Sequence, residues 1–132
     1  MSSGLSPSQR RTLTQQLQQR LEELRAQVRE ELLRSDSERY IQIAGQVHDA
    51  EEESVADLLA DVDLAVIDIH VNEIRNVEAA LLRTRTGRYG ICAECDGEIA
   101  YERLRAYPTA KRCLGCQTTH EQAATEKRPP TL

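Results

Sequence analysis

Four cysteines in two closely spaced pairs are the feature that most constrains what this chain can fold into. Cys92 and Cys95 form the first Cys-x-x-Cys pair, and Cys113 and Cys116 form the second pair after seventeen intervening residues. Each pair can turn both sulfurs toward one point, and two such pairs complete the tetrahedron that Zn²⁺ accepts. Because four thiolates leave no position for water, we predict one structural zinc ion on these side chains.

Which role the four cysteines have depends on whether the protein works in an oxidising or a reducing compartment. An iron–sulfur cluster, a redox Cys-x-x-Cys or a secreted domain with two disulfides remain alternatives. No segment approaches the roughly 20 consecutive apolar residues of a membrane helix, and the N-terminus lacks the apolar core of a signal peptide. We therefore expect a cytoplasmic protein without a membrane segment, where reducing conditions favour a metal over disulfides.

Large aromatic side chains are scarce, so the core must be built from smaller apolar residues. The 132 residues include four Tyr, one Met and no Trp or Phe. Burial then depends on Leu, Val, Ile and Ala, which together with abundant Glu, Gln and Arg suit long helices packed along narrow seams.

The first half of the chain has the periodicity of a long amphipathic helix. Ser6, Pro7 and Gln9 form a helix-start signature. Apolar residues then recur at spacings of three and four, at Leu13, Leu17, Leu21, Leu24, Val28 and Leu32. Since no Pro or Gly occurs between Gln9 and Ala44, the pattern predicts a helix over about residues 8–46.

A second apolar stripe predicts a second long helix, over about residues 54–86. It comprises Val55, Leu59, Val62, Val66 and Ile69, followed after a slip in register by Ile74, Val77 and Leu81. Gly87 is expected just past its end. The prediction is a mainly α fold: residues 1–86 form a long antiparallel helical hairpin (coiled coil) with its tip near 45–54, and residues 87–132 form a four-cysteine finger and a short C-terminal helix from Thr118 to Glu126.

Periodicity alone leaves the assembly of these helices open. Each stripe can cover the other within one chain, which predicts a monomer, or the stripes can pair between two chains in a dimeric coiled coil.

Charge along the chain argues against a protein that follows the phosphates of nucleic acid. Between Arg39 and Arg75 there is no Lys or Arg, whereas this interval contains nine Asp and Glu residues. A nucleic-acid binder needs a basic surface. The acidic interval favours a partner that is basic or that presents a metal ion, while a solubilising turn is the simpler interpretation of the acidic residues at 49–53.

The sequence around the cysteines resembles the zinc finger of the DksA/TraR family. The resemblance covers about residues 87–118 and lies in Tyr89-Gly90-Ile91-Cys92-Ala93-Glu94-Cys95, Glu98-Ile99, Glu102-Arg103-Leu104, Pro108-Thr109-Ala110 and Arg112-Cys113-Leu114-Gly115-Cys116. The preceding helical region matches the longer, DksA-like members better than the short TraR-like ones.

This resemblance implies a bacterial transcription regulator that binds RNA polymerase and has no direct sequence-specific contact with DNA. In the family the hairpin enters the secondary channel of the polymerase, and its acidic tip modulates initiation. Counting back from the first cysteine places the functional tip residues at Asp49 and Glu52. The usual pattern is Asp-x-x-Asp-x-Ala, whereas this chain has Asp49-Ala-Glu-Glu52-Glu-Ser54.

The resemblance also bears on further partners. The candidate polymerase contacts on the sides of the hairpin and the finger are Arg75, Arg83, Arg85 and Arg88. The family responds to the nucleotide ppGpp through basic side chains, but the positions that correspond here are Asn76, Tyr107 and Gln117. The sequence therefore does not predict ppGpp as a co-regulator unless Arg103 and Arg105 take over part of that role.

Two other classes of function differ from polymerase binding in what they require of the sequence. A zinc-ribbon module that binds nucleic acid or another protein is the alternative, although the acidic balance and the scarcity of aromatic stacking residues oppose nucleic acid. An enzyme is not expected, because the sequence has no Ser-His-Asp arrangement, no phosphate-binding glycine loop and no open metal site.

Overall fold

The computed structural model describes residues 4–35, 37–51 and 53–126. Its helices are α1 (Pro7–Arg34), α2 (Glu38–Asp49), α3 (Val55–Leu58), α4 (Ala65–Thr86), α5 (Tyr101–Ala106) and α6 (Leu114–Glu126). Across these described ranges the regular structure is helical, with one isolated antiparallel bridge between Ile91 and Glu98. None of the described helices combines the length and the apolarity needed to cross a membrane.

Helices α1 and α4 form the antiparallel hairpin that the periodicity predicts. At the start of α1 the capping box is complete, because the Ser6 hydroxyl accepts from the Gln9 N–H at 3.0 Å and the Gln9 side chain accepts from the Ser6 N–H at 2.9 Å. Helix α4 ends beside the start of α1, where Gly87 takes the left-handed conformation with φ 76°. The mainly α fold class is confirmed.

The apolar seam between α1 and α4 supplies the core of the hairpin. Leu17 and Leu24 of α1 and Ile74 and Val77 of α4 are all buried, with at most 1 % of each residue exposed. Full burial of side chains of this size contributes about 1.5–3 kcal/mol each. This seam therefore fixes which faces of the two helices meet.

The prediction of one continuous helix over 8–46 is wrong. The first helix ends at Arg34, and α2 begins at Glu38 and packs back against α1. Ser35 ends α1 locally, because both its N–H and its hydroxyl bond the Leu32 carbonyl, at 3.3 and 2.6 Å. A serine that bonds the backbone in this way competes with helix continuation, and the reversal buries Ala44 and Val47.

The predicted helix over 54–86 is also divided. Only Val55–Leu58 and Ala65–Thr86 are helical, with an irregular connection between them. The register of the apolar stripe differs from the prediction as well, since Ile67 is buried whereas 72 % of Ile69 and 37 % of Val66 are exposed. The change of element lies before Ile69, between Leu58 and Ala65, because Val62 is buried ahead of α4 and Ile67 is buried in its first turn.

Because both predicted helices are divided, the chain around residues 45–54 does not form the far tip of the hairpin as predicted. Because the chain reverses after α1, Val47 and Ala50 lie beside Arg25, whose guanidinium bonds both of their carbonyls. Arg25 is nine residues before the last residue of α1, or about 14 Å along the helix. Asp49 is therefore on the flank of the hairpin and not at its far tip.

The finger packs directly on the base of the hairpin. Tyr89, Ile99 and Leu104 are buried in the same apolar core as Leu5 and the seam of α1 and α4. The C-terminal helix begins at Leu114 and not at Thr118, so that Cys116 lies in its first turn. The core thus continues from the helices into the finger across Gly87.

Candidate functional site

Two tight turns bring the first pair of cysteines together. The Cys92 N–H donates to the Gly97 carbonyl at 2.7 Å, and the Asp96 N–H donates to the Cys92 carbonyl at 3.0 Å. Asp96 has φ 59°, a conformation that Asp and Asn adopt more readily than most other residues. A Cβ added to Gly97 would lie 3.2 Å from the Cys95 sulfur, so a side chain there would crowd the site.

The second pair of cysteines approaches the first from the start of α6. The Cys113 N–H donates to the Cys92 sulfur at 3.3 Å, and the Ala93 N–H donates to the Lys111 carbonyl at 2.8 Å. All four Sγ atoms lie within 4.8 Å of one another, and the Cys95 and Cys113 sulfurs are 3.9 Å apart. In the described part of the chain, this is the one cluster of three or more such side chains with a geometry that could hold a metal.

The four sulfurs fit zinc. A tetrahedral site with Zn–S bonds near 2.3 Å has sulfurs about 3.8 Å apart, close to the separation of Cys95 and Cys113. Burial raises the pKa of the Cys92 thiol, but hydrogen bonds from the backbone N–H groups of Cys113, Cys95 and Glu94 outweigh it and lower the pKa to about 6. Backbone donors that stabilise a thiolate are what a metal–thiolate site requires. A zinc ion held there would have all four coordination positions filled by protein sulfurs, and its role would be structural.

Two side chains at the junction of α4 and the finger were not predicted to have a role there, one bonding within the finger and one reaching it from α4. The Tyr89 hydroxyl donates to the Pro108 carbonyl at 2.7 Å, and Arg83 donates to the Thr109 carbonyl at 3.4 Å. Burial raises the pKa of Tyr89 to about 12, partly offset by the Arg83 charge, and burial lowers the pKa of Arg83. Arg83 is half-buried at this joint, so it is less accessible than the other predicted polymerase contacts.

The other three of those arginines lie on the surface. Arg75 and Arg85 are exposed, and they line the same shallow cavity beside α3 and α4. Arg88 is exposed too and pairs with Asp96 at 3.1 Å.

Of the two predicted tip residues, the structure describes one. The Asp49 side chain is 82 % exposed, and its carboxylate lies 3.0 Å from Nδ1 of His48. Glu52 lies outside the described residues. Glu51 and Glu53 are also exposed, so the described carboxylates of this acidic segment, those of Asp49, Glu51 and Glu53, face solvent.

Two residues that sequence reasoning missed anchor this acidic segment. The Arg25 guanidinium donates to the carbonyls of Val47, His48 and Ala50, at 2.9, 3.4 and 2.6 Å. The Glu78 carboxylate accepts from the Ser54 hydroxyl and from the N–H groups of Val55 and Ala56, at 3.0, 3.0 and 3.3 Å. These contacts join positions that are 22–25 residues apart in the chain. No local sequence pattern therefore predicts them.

Of the three positions that correspond to the family's ppGpp contacts, the fold places two in one groove and the third elsewhere. Asn76 and Tyr107 line an open groove of about 910 Å³ between α1, α4 and the finger. The groove also contains Arg20, whose guanidinium makes two 2.7 Å bonds to the Glu73 carboxylate. Gln117 is not part of the groove lining and bonds Glu121 within α6 at 2.9 Å.

Comparison with known proteins gives consistent results at the level of sequence. Residues 87–122 match the family model of the prokaryotic dksA/traR C4-type zinc finger. The RNA polymerase-binding transcription factor DksA of Haemophilus influenzae is 40% identical over 48 residues, which cover 36% of this chain and 33% of that protein. DksA of Escherichia coli K12 is 38% identical over 48 residues, covering 36% and 32%. The match thus spans about a third of the length of these curated relatives.

Solved structures resemble the whole fold. Transcription factor DksA2 from Pseudomonas aeruginosa superposes with a TM-score of 0.64 at 20% identity, covering 91% of this chain and 88% of that chain. The DnaK suppressor protein from Agrobacterium tumefaciens C58 gives a TM-score of 0.58 at 23% identity, covering 90% and 99%. The finger, the curated relatives and the fold therefore agree: residues 87–122 match the dksA/traR C4-type zinc finger, and the chain as a whole is similar in fold to DksA2.

Proposed function

We propose that this chain binds RNA polymerase directly and regulates transcription initiation in the bacterial cytoplasm, as a regulator and not as an enzyme. The observation that carries the proposal is the finger, because its matched relatives are named RNA polymerase-binding transcription factors. One zinc ion per chain, held by the four cysteines, would maintain the finger on the base of the hairpin. The likeness of the whole fold to DksA2 supports an architecture suited to the same task.

In this proposal the hairpin enters the secondary channel and the acidic segment acts on initiation. The supporting observations are the exposed Asp49 carboxylate and the absence of Lys and Arg between Arg39 and Arg75. Glu52 is included on sequence grounds alone. Because the segment lies on the flank of the hairpin, its carboxylates would meet a channel wall or the surroundings of a metal ion from the side.

Binding itself would come from cationic side chains on α4 and on the finger. Arg75 and Arg85 are exposed and can pair with an acidic surface. Arg88 would do so in exchange for its partner Asp96, and Arg83 would act mainly by holding the finger. No direct sequence-specific contact with DNA is part of the proposal.

We further propose that ppGpp is not a co-regulator at the groove between α1, α4 and the finger. Asn76 and Tyr107 carry no charge, and Glu73 already neutralises Arg20. Arg103 and Arg105 are also engaged, the first with the Arg112 carbonyl at 3.1 Å and the second with Glu102 at 3.6 Å. A ligand with several phosphates requires cations that are available to pair with it.

The test is a competition assay with purified bacterial RNA polymerase beside in vitro transcription from a promoter with an unstable open complex. The zinc-loaded full chain should bind the polymerase, change transcript yield, and give the same change with and without ppGpp. A DNA-binding assay with the same promoter fragment should show no sequence preference. Failure to bind polymerase, or sequence-specific retention of the DNA, would overturn the proposal.

A further inference from the structure

The acidic segment, represented by its described residues Asp49, Glu51 and Glu53, is held at both ends by side chains from the two long helices. We propose that Arg25 and Glu78 are positioning residues that fix this segment on the flank of the hairpin, so that its carboxylates meet a cationic partner surface at one place. The inference rests on the function proposed above, because the partner surface is that of the polymerase.

Arg25 holds the side of the segment that follows α2. Its guanidinium donates to three carbonyls at the end of that helix, those of Val47, His48 and Ala50. These carbonyls are among the groups that a helix end leaves without internal partners, and a cation beside them also interacts favourably with the helix dipole. The Arg25 side chain is 18 % exposed, so competition from water at these bonds is reduced.

Glu78 holds the side of the segment that leads into α3. Its carboxylate accepts two backbone N–H groups at the start of this short helix, together with the Ser54 hydroxyl. Ser54 in turn accepts from the Asp57 N–H at 3.2 Å. Hydrogen bonds with an ionised partner are stronger than neutral ones, so the segment is held where α4 places this carboxylate.

Both anchors bind the backbone or a hydroxyl group and leave the acidic side chains of the segment available. In the described part of the chain neither Glu51 nor Glu53 takes part in an ion pair, and Asp49 pairs only with the neighbouring His48. One cavity of about 360 Å³ is lined by Arg25, Glu51, Glu53, Glu78 and Arg85. The contacts therefore fix position without neutralising the charge that a partner would recognise.

The first arm of the test uses the free protein and needs no polymerase. Amide hydrogen exchange is measured on the zinc-loaded full chain and on Arg25→Gln, Glu78→Ala and Arg29→Gln. Glu78→Ala should accelerate exchange at Val55 and Ala56 by about tenfold or more, because these amides lose a charged acceptor. Arg25→Gln should accelerate exchange at the end of α2. Arg29 lies one turn further along α1 and is exposed, so Arg29→Gln removes the same charge without these contacts and should exchange as wild type.

The second arm separates positioning from stability through transcription and polymerase binding. Arg25→Gln and Glu78→Ala should lose most of the transcriptional effect at saturating concentration, keep wild-type affinity in the competition assay, and keep wild-type helicity. Arg29→Gln should regulate as wild type.

Three results would overturn the inference. Wild-type exchange in both anchor variants would show that these contacts do not hold the segment. Accelerated exchange with full transcriptional effect would show that its position is unimportant. Loss of the transcriptional effect in Arg29→Gln would show that positive charge on α1 is what matters, and not the hydrogen bonds of Arg25 to the segment. If the wild-type chain does not bind polymerase, the proposed function fails, whereas the exchange arm still decides whether Arg25 and Glu78 hold the segment.

Discussion

Cys113 connects the metal centre to the start of α6, and its N–H also bonds the Cys92 sulfur. Replacing Cys113 with Ser should abolish stoichiometric zinc binding, because one thiolate of a closed site is lost. Most helicity should remain, since the seam formed by Leu17, Leu24 and Val77 lies outside the finger. Metal analysis and far-UV circular dichroism check both points, and either retained zinc or general loss of helix would contradict the expectation.

Asp49 is the acidic residue whose charge we expect to matter most for regulation. Asp49→Asn should abolish most of the transcriptional effect while polymerase binding survives, because the proposed binding contacts are arginines on α4 and on the finger. The side chain is 82 % exposed, so stability should change by no more than about 0.5 kcal/mol.

The matched control for Asp49→Asn is Glu30→Gln, which removes an exposed carboxylate on α1 outside the acidic segment. It should leave transcription unchanged in the same assay. If Asp49→Asn regulates as well as wild type, the segment only increases solubility; if it also loses binding, Asp49 is an anchor for the polymerase.

Among the contacts between helices, the ion pair of Arg20 and Glu73 links α1 to α4. Hydrogen bonds from Arg20 hold the pKa of Glu73 below its usual 4.5. A carboxyl with a lowered pKa contributes stability above its unfolded pKa and loses it as the pH falls through the folded value. Both side chains are about 40 % exposed, at 39% and 41%, so Glu73→Gln should cost only about 0.5–1 kcal/mol at neutral pH.

Urea unfolding of wild type and Glu73→Gln at pH 7 and pH 3 measures this contribution. The difference between the two proteins should shrink at pH 3, and comparing the pair removes the effect of zinc release, which acid causes in both. A difference that persists unchanged at pH 3 would mean that packing and not charge is responsible.

Because the chain reverses between α1 and α2, two positions on α2 should differ in their contribution to stability. Val47 is buried against α1 whereas 45 % of Ile41 on the same helix is exposed. Val47→Ala should therefore destabilise the protein by about 1–3 kcal/mol, and Ile41→Ala should cost clearly less. Equal costs in chemical denaturation would indicate that α2 continues α1 as one straight helix in solution.

For the whole molecule, burial within one chain decides the expected assembly. The stripe residues Leu24, Val28 and Ile74 are already fully buried without a second copy, so the seam that a dimeric coiled coil would use is occupied. We expect a monomer whose sedimentation coefficient does not depend on concentration. A monomer–dimer equilibrium in analytical ultracentrifugation at micromolar concentration would contradict this.

The sequence by itself determined those features that depend on short spacings. The two Cys-x-x-Cys pairs predict the sulfur cluster, Ser6 and Gln9 predict the start of α1, and Gly87 predicts the end of α4, because turns, caps and metal-binding pairs are set by residues a few positions apart. The apolar periodicity likewise predicted a mainly α hairpin.

Only the tertiary structure decided where the acidic segment lies. Ser35 is compatible with either a continuing or an ending helix, and the gain from burying Ala44 and Val47 against α1 selects the reversal. The contacts of Arg25 and Glu78 then hold the segment on the flank of the hairpin. Such contacts join residues more than twenty positions apart, and their energy depends on the packing of α1, α2 and α4 together, which no local pattern encodes.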